Sequence, residues 1–234
     1  MTTQQPQPGR RPTPGPRDRR PAGAVRRADT RAALVAVVLV CLAGASWLVR
    51  SAVVGDPGAL TDMDGRQVVL EHAPDATGAQ AAPTGGHFVA PEQGLDVPLL
   101  AMTVTGQVVN PPSLVDAYLL RGYGSPTDPG SGLVVVAMHA VRDGHAPGNA
   151  FVDPDEGAQV SLDAGDPLVV DGVAYAVDGV EVLGKDRAAQ SLWDDAPARD
   201  GELLVLTCLQ RPGTAGAAAE NLVVHATRTT RAGA

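Results

Sequence analysis

The chain predicts an all-β domain of about 140 residues, a sandwich or a closed barrel, held behind a membrane anchor. Three observations carry that prediction. From about Leu95 onward, short apolar runs recur between Gly, Pro, Asp and Asn, the texture of strands joined by turns rather than of amphipathic helices. Asp171-Gly172 separates two such runs, and a two-residue hairpin loop needs positive φ at both positions, which Asp and Gly tolerate. Ahead of these runs stand 18 residues without a charge, 32–49, bracketed by Arg31 and Arg50.

Residues 1–31 hold eight arginines and two aspartates among Pro, Gly, Gln and Thr. With almost no apolar side chains to bury, this tail is expected to be disordered. Residues 32–49 read AALVAVVLVCLAGASWLV; as a helix they would reach about 27 Å, near the thickness of bilayer hydrocarbon. The basic tail sets the orientation, N-terminus in the cytoplasm and everything after Arg50 outside. The net charge of -8 conceals this asymmetry. The tail is +6, whereas residues 51–234 carry nine Lys/Arg against 24 Asp/Glu, a net of -15. A cleaved signal peptide is the rival reading, since Ala43, Gly44 and Ala45 are small enough for a signal peptidase. Bulky Val40 argues against a lipoprotein site at Cys41.

Residues 50–92, rich in Gly, Ala, Pro and acidic side chains, are expected to form a stalk, with only 67–70 strand-like. His72 and His87 are read there as solvated linker histidines. Beyond it the strand-like runs are 97–104, 107–109, 133–138, 159–162, 167–170, 173–177, 181–183, 203–207 and 222–227. Asp178-Gly179 marks a second bend. One or two short helices are expected, with 112–118 and 188–193 as their places.

Composition excludes several functions. Aromatics are 3% of residues and the outer segment is strongly acidic, so there is neither a basic groove nor a stacking platform for nucleic acid. No Gly-rich phosphate loop and no metal-ligand spacing is present, and no cofactor or metal is expected. Cys41 falls in the span and Cys208 outside it, so the two cannot pair, and the outer domain must rest on its core alone.

An unpaired extracytoplasmic thiol points to chemistry. The run 133–138 delivers His139 to a strand end, and a Gly-containing loop follows through Phe151. The run 203–207 delivers Cys208 in the same way. A strand end holds a side chain rigidly yet leaves it accessible, a favourable mounting for a nucleophile and its proton partner. The other reading is a satisfied polar histidine and a small buried thiol. His145 is expected to be solvated, His225 to sit buried or at an edge, and Trp193 to be a core plug or groove wall.

In order along the chain, Leu95-Asp96-Val97-Pro98-Leu99-Leu100, Asn110-Pro111-Pro112, Ala137-Met138-His139, Phe151 and Leu204-Val205-Leu206-Thr207-Cys208 resemble motifs of the sortases, membrane-anchored cysteine transpeptidases of Gram-positive bacteria. The pattern looks most like the actinobacterial classes E and F and covers roughly residues 93–227. The resemblance implies a closed β-barrel of about eight strands over residues 93–231, preceded by the single transmembrane helix. It implies that Cys208 attacks the threonine carbonyl of a Leu-Pro-x-Thr-Gly-type signal and that His139 protonates the leaving amine. The thioacyl intermediate then passes to an amine of a peptidoglycan precursor or a pilin. Thr207 is expected beside the thiol on the substrate side. The family's arginine before the last strand is absent, since Ala219 and Glu220 occupy its place. Arg211 is the expected substitute, with Arg142 and Arg228 in reserve. The missing arginine keeps a second reading open, a catalytically silent β-domain that binds wall or pilus components.

Overall fold

A computed structural model of the chain describes residues 59–70, 72–153, 158–193, 199–211 and 217–229. The expected tail, the span with Cys41, and residues 50–58 of the stalk lie outside the described residues. Among the described residues, no helix is long and apolar enough to cross a membrane.

The elements are β1 (Ala59–Thr61), β2 (Gln67–Val69), α1 (Ala76–Ala79), β3 (Ala82–Ala90), β4 (Leu95–Met102), β5 (Ala117–Leu120), β6 (Val134–Ala137), β7 (Val152–Asp153), β8 (Gln159–Val160), β9 (Pro167–Val170), β10 (Val173–Gly184), α2 (Lys185–Trp193), β11 (Glu202–Leu209) and β12 (Glu220–Arg228). Eight of the strands close a barrel in the order β10-β12-β11-β6-β5-β4-β3-β9, with β9 returning to β10. Closure leaves no unpaired sheet edge, which removes the usual hazard of edge-to-edge association. The pairs β4–β5 and β6–β11 run parallel and the others antiparallel.

Alternation along each strand sorts the side chains into two layers. Phe88, Leu99, Val136, Leu168, Tyr175, Val205 and Val224 fill the barrel, where the Phe88 and Phe151 rings meet edge-on with centroids 6.3 Å apart. The intervening residues Leu120, Val135, Leu204 and Val223 face outward and belong to a second cluster that includes Ala188 and Leu192 of α2. Strands β6 and β11 are thus apolar on both faces, which is why they read as continuous hydrophobic runs.

Asp171 and Gly172 take φ of 51° and 76°, the left-handed pair expected for the β9–β10 turn. The Asp178-Gly179 bend is present as a register shift between Val177 and Gly179, so the runs 173–177 and 181–183 form one long bulged strand. Three expectations change. The segment read as a stalk is folded from Ala59 and contributes β3 to the barrel. No helix forms over 112–118, because 117–120 is a strand buried on both faces, a pattern that periodicity cannot separate from a helix. The run 107–109 makes only an isolated bridge, Thr105 to Val108.

Candidate active site

Strands β6 and β11, paired in parallel, carry His139 and Cys208 at their adjacent ends. Their parallel register runs from Leu203↔Val134 to Leu206↔Ala137, and Met138 N–H extends it by donating to the Leu206 carbonyl at 3.1 Å. Two residues beyond the last pair stand Cys208 and His139, on the same face by the two-residue pleat. On the other side of β11, Asn221 of β12 pairs with Cys208. His139, Cys208 and Asn221 line one cavity of about 590 Å³, within the size range of ligand sites.

His139 is 9% exposed, and its Nε2–H donates to the Pro111 carbonyl at 2.7 Å. That bond fixes the ring and leaves Nδ1 as the nitrogen able to take up a proton. Burial pushes the imidazole pKa down, against the Pro111 bond, which raises it. Burial pushes the Cys208 thiol up, opposed by the Lys185 ammonium. Both shifts favour the uncharged partners, thiol and neutral imidazole, as the resting pair.

The loop that follows His139 is closed at its base and braced inside. Gly148 N–H donates to the His139 carbonyl at 2.8 Å. Asn149 accepts from Val141 N–H and Ala146 N–H, both at 3.0 Å, and returns a bond to the Val141 carbonyl at 2.8 Å. Below this base sits Thr207. A Cβ on Gly148 would lie 2.0 Å from Thr207 Oγ1, so the glycine is required by close approach. Thr207 Oγ1 is buried and has no hydrogen-bond partner among the described residues. Thr207 borders the cavity, and its hydroxyl oxygen lies against Gly148 at the base of the histidine loop.

The β1–β2 hairpin forms another wall. Buried Asp62 accepts from the backbone N–H groups of Asp64, Arg66 and His145, and Met63 N–H donates to the His145 carbonyl at 2.8 Å. Burial drives the Asp62 pKa up, but these three bonds and the nearby Arg66 guanidinium outweigh it and leave the carboxyl below its ordinary value. Leu60, Val68 and Leu70 pack on Leu114, Val141 and Ala146 beneath. The hairpin is thereby stitched to the loop that carries His139.

Of the residues chosen from sequence, the structure brings Cys208, His139 and Thr207 together and leaves Arg211 aside. Arg211 Nε donates to Glu220 Oε2 at 2.8 Å on the exposed rim, and it is not among the cavity-lining residues. The reason lies in β12, whose first residue presents an acidic partner to the end of β11. Arg142, held in reserve, does line the cavity, and its Nη2 donates to Gln210 Oε1 at 3.3 Å. His145 is half-buried and bonded to Asp64 at 3.1 Å, not simply solvated. His72, read as a linker residue, lies in the cavity wall. Lys185, Asn221, Asn149 and Asp62 were missed. For Asp62 the signal was present, since Asp62-Met63-Asp64-Gly65 between Leu60 and the run 67–70 is a turn signature. Among the described residues, no group of three or more His, Cys, Asp and Glu is arranged to hold a metal ion.

No protein-family model matches the chain, and no curated protein matches it. Solved structures similar to it include a lid mutant of sortase A from Corynebacterium diphtheriae, with a TM-score of 0.44 and 18% identity over 62% of this chain and 69% of that one. Sortase A of Listeria monocytogenes gives 0.44 and 15% over 62% and 86%. A pilus-related sortase C of group B Streptococcus gives 0.46 and 19% over 74% and 80%.

Proposed function

We propose that the domain is a sortase-type cysteine transpeptidase of the class E or F kind, anchored by residues 32–49 with its barrel outside the cell membrane. The observation that supports this most is the pairing of Cys208 and His139 at adjacent strand ends, on one face and in one cavity. The ordered motifs quoted above supply the substrate class.

In this reading the Cys208 proton moves to His139 Nδ1, and the thiolate attacks the threonine carbonyl of a Leu-Pro-x-Thr-Gly-type signal. A C–S bond forms, and the carbonyl oxygen takes up negative charge. Arg142, in the cavity wall, supports that charge in place of Arg211. The imidazolium gives its proton to the departing amine as the C–N bond breaks, leaving a thioester. An amine of a peptidoglycan precursor or a pilin then attacks the thioester, loses a proton to His139 and releases Cys208. The Pro111 carbonyl keeps the ring oriented through both transfers.

The test is incubation of the full chain with Leu-Pro-x-Thr-Gly and Leu-Ala-x-Thr-Gly peptides, with mass spectrometry of the Cys208 peptide. An acyl adduct is expected with at least one sequence and none with Cys208→Ala. Absence of an adduct with every peptide would overturn the enzyme reading in favour of a silent domain that binds wall or pilus components.

A further inference from the structure

Lys185 is the first residue of α2 and follows directly on β10. Across three strands, Leu183 of β10 pairs with Asn221 of β12, which pairs with Cys208 of β11. Directly paired residues share a face of the sheet, so Leu183, Asn221 and Cys208 form one row. Lys185 lies two residues past Leu183, and it borders the same cavity as Cys208. Among the described residues it makes no hydrogen bond and no ion pair, whereas Arg211 is engaged by Glu220 and Arg142 bonds Gln210.

From these positions we infer that Lys185 is a positioning residue for the nucleophile, its ammonium stabilising the Cys208 thiolate from the β10–α2 corner. The inference rests on the cysteine-nucleophile reading and adds to it a cation outside the arginines considered from sequence. The need is physical. A half-buried sulfur opposite a neutral Asn221 has little to favour its charged form, and the Lys185 charge is the one that acts against its burial. The other charged and titratable groups bordering the cavity are His139, Arg142 and Asp143 from the end of β6 and its loop, and His72 from the segment after β2. The charges bordering the cavity are thus of both signs. Lys185 is exposed, which makes its effect sensitive to salt.

The experiment is the rate of Cys208 alkylation by iodoacetamide, an uncharged probe, from pH 6 to 10. The full chain in detergent is used, and modification is followed on the Cys208 peptide so that Cys41 does not contribute. Lys185→Met is expected to slow the reaction at pH 7 by about threefold to tenfold and to move its midpoint upward, and Lys185→Arg to stay within about twofold of wild type. In 1 M salt the difference between wild type and Lys185→Met should shrink. Superimposed profiles for wild type and Lys185→Met would overturn the inference. Equal slowing by Lys185→Met and Lys185→Arg would also overturn it, since that marks a packing role rather than a charge. Failure of the enzyme reading shows separately as the absence of any peptide adduct, while the alkylation profiles still report what Lys185 does to the sulfur.

Discussion

Asn221 stands directly opposite Cys208 in the antiparallel β11–β12 ladder, and both border the same cavity. Opposed residues in such a ladder bring their Cβ atoms to about 4.5–5.5 Å. The residue the ladder places there carries no charge.

Asn221→Arg therefore introduces a cation at short range. The alkylation rate of Cys208 at pH 7 should rise by about threefold or more, because a neighbouring positive charge increases the thiolate fraction. An unchanged or slower rate, in a variant that melts like wild type, would show that this cross-strand position does not reach the sulfur.

The two arginines should separate cleanly. Arg142→Ala is expected to lower kcat/KM for peptide cleavage on the order of a hundredfold, the usual effect of removing an oxyanion donor. Arg211→Ala should remain within about twofold, since it loses only an exposed pair with Glu220, of a kind that contributes little. The reverse order of effects would return the role to Arg211.

Gly148 and Thr207 should be coupled. Gly148→Ala drives a methyl group to 2.0 Å from Thr207 Oγ1 and 2.8 Å from the His139 carbonyl, and overpacking of this kind costs about 1–3 kcal/mol. Adding Thr207→Ala removes the closest clash and should restore part of that loss. A double-mutant cycle by urea unfolding measures the coupling, and strict additivity would refute the contact.

His139 sets a pH window for stability. Its folded pKa lies below the ordinary value of 6.5 because of burial. Between those two values the unfolded chain binds more protons, so stability rises with pH across the interval. The contribution is complete above about pH 6.5 and is lost as pH falls toward the lowered folded value. Asp62 and Asp64, whose pKa values lie below 3.8, act in a more acidic window. Urea midpoints from pH 7.5 to 5.0 should fall more steeply for wild type than for His139→Gln, and parallel curves would contradict the assignment.

The tertiary structure also shows why part of this was legible in advance. Runs such as 167–170 and 203–207 match β9 and most of β11, because a strand's apolar pattern and its turn residues are local properties. The helix expected over 112–118 overlaps β5 at Ala117 and Tyr118, where burial on both faces erases the alternation that marks a strand. Strand β3 was hidden inside a Gly- and Pro-rich stretch, Ala82–Ala90, whose pairing with β4 and β9 only the closed barrel supplies.

By itself, the sequence determined the all-β class, the Asp171-Gly172 turn, and Cys208 and His139 as strand-end residues, since each follows from neighbours a few positions away. The register that sets Cys208 beside His139 and opposite Asn221, the capture of Arg211 by Glu220, the arrival of Lys185 and Arg142 at the cavity, and the bond from His145 N–H to Asp62 were decided only in three dimensions. Charge and hydrogen bonding between side chains depend on distances of a few ångströms, and those distances are set by barrel closure, which pairs residues as far apart in sequence as Phe88 and Val170.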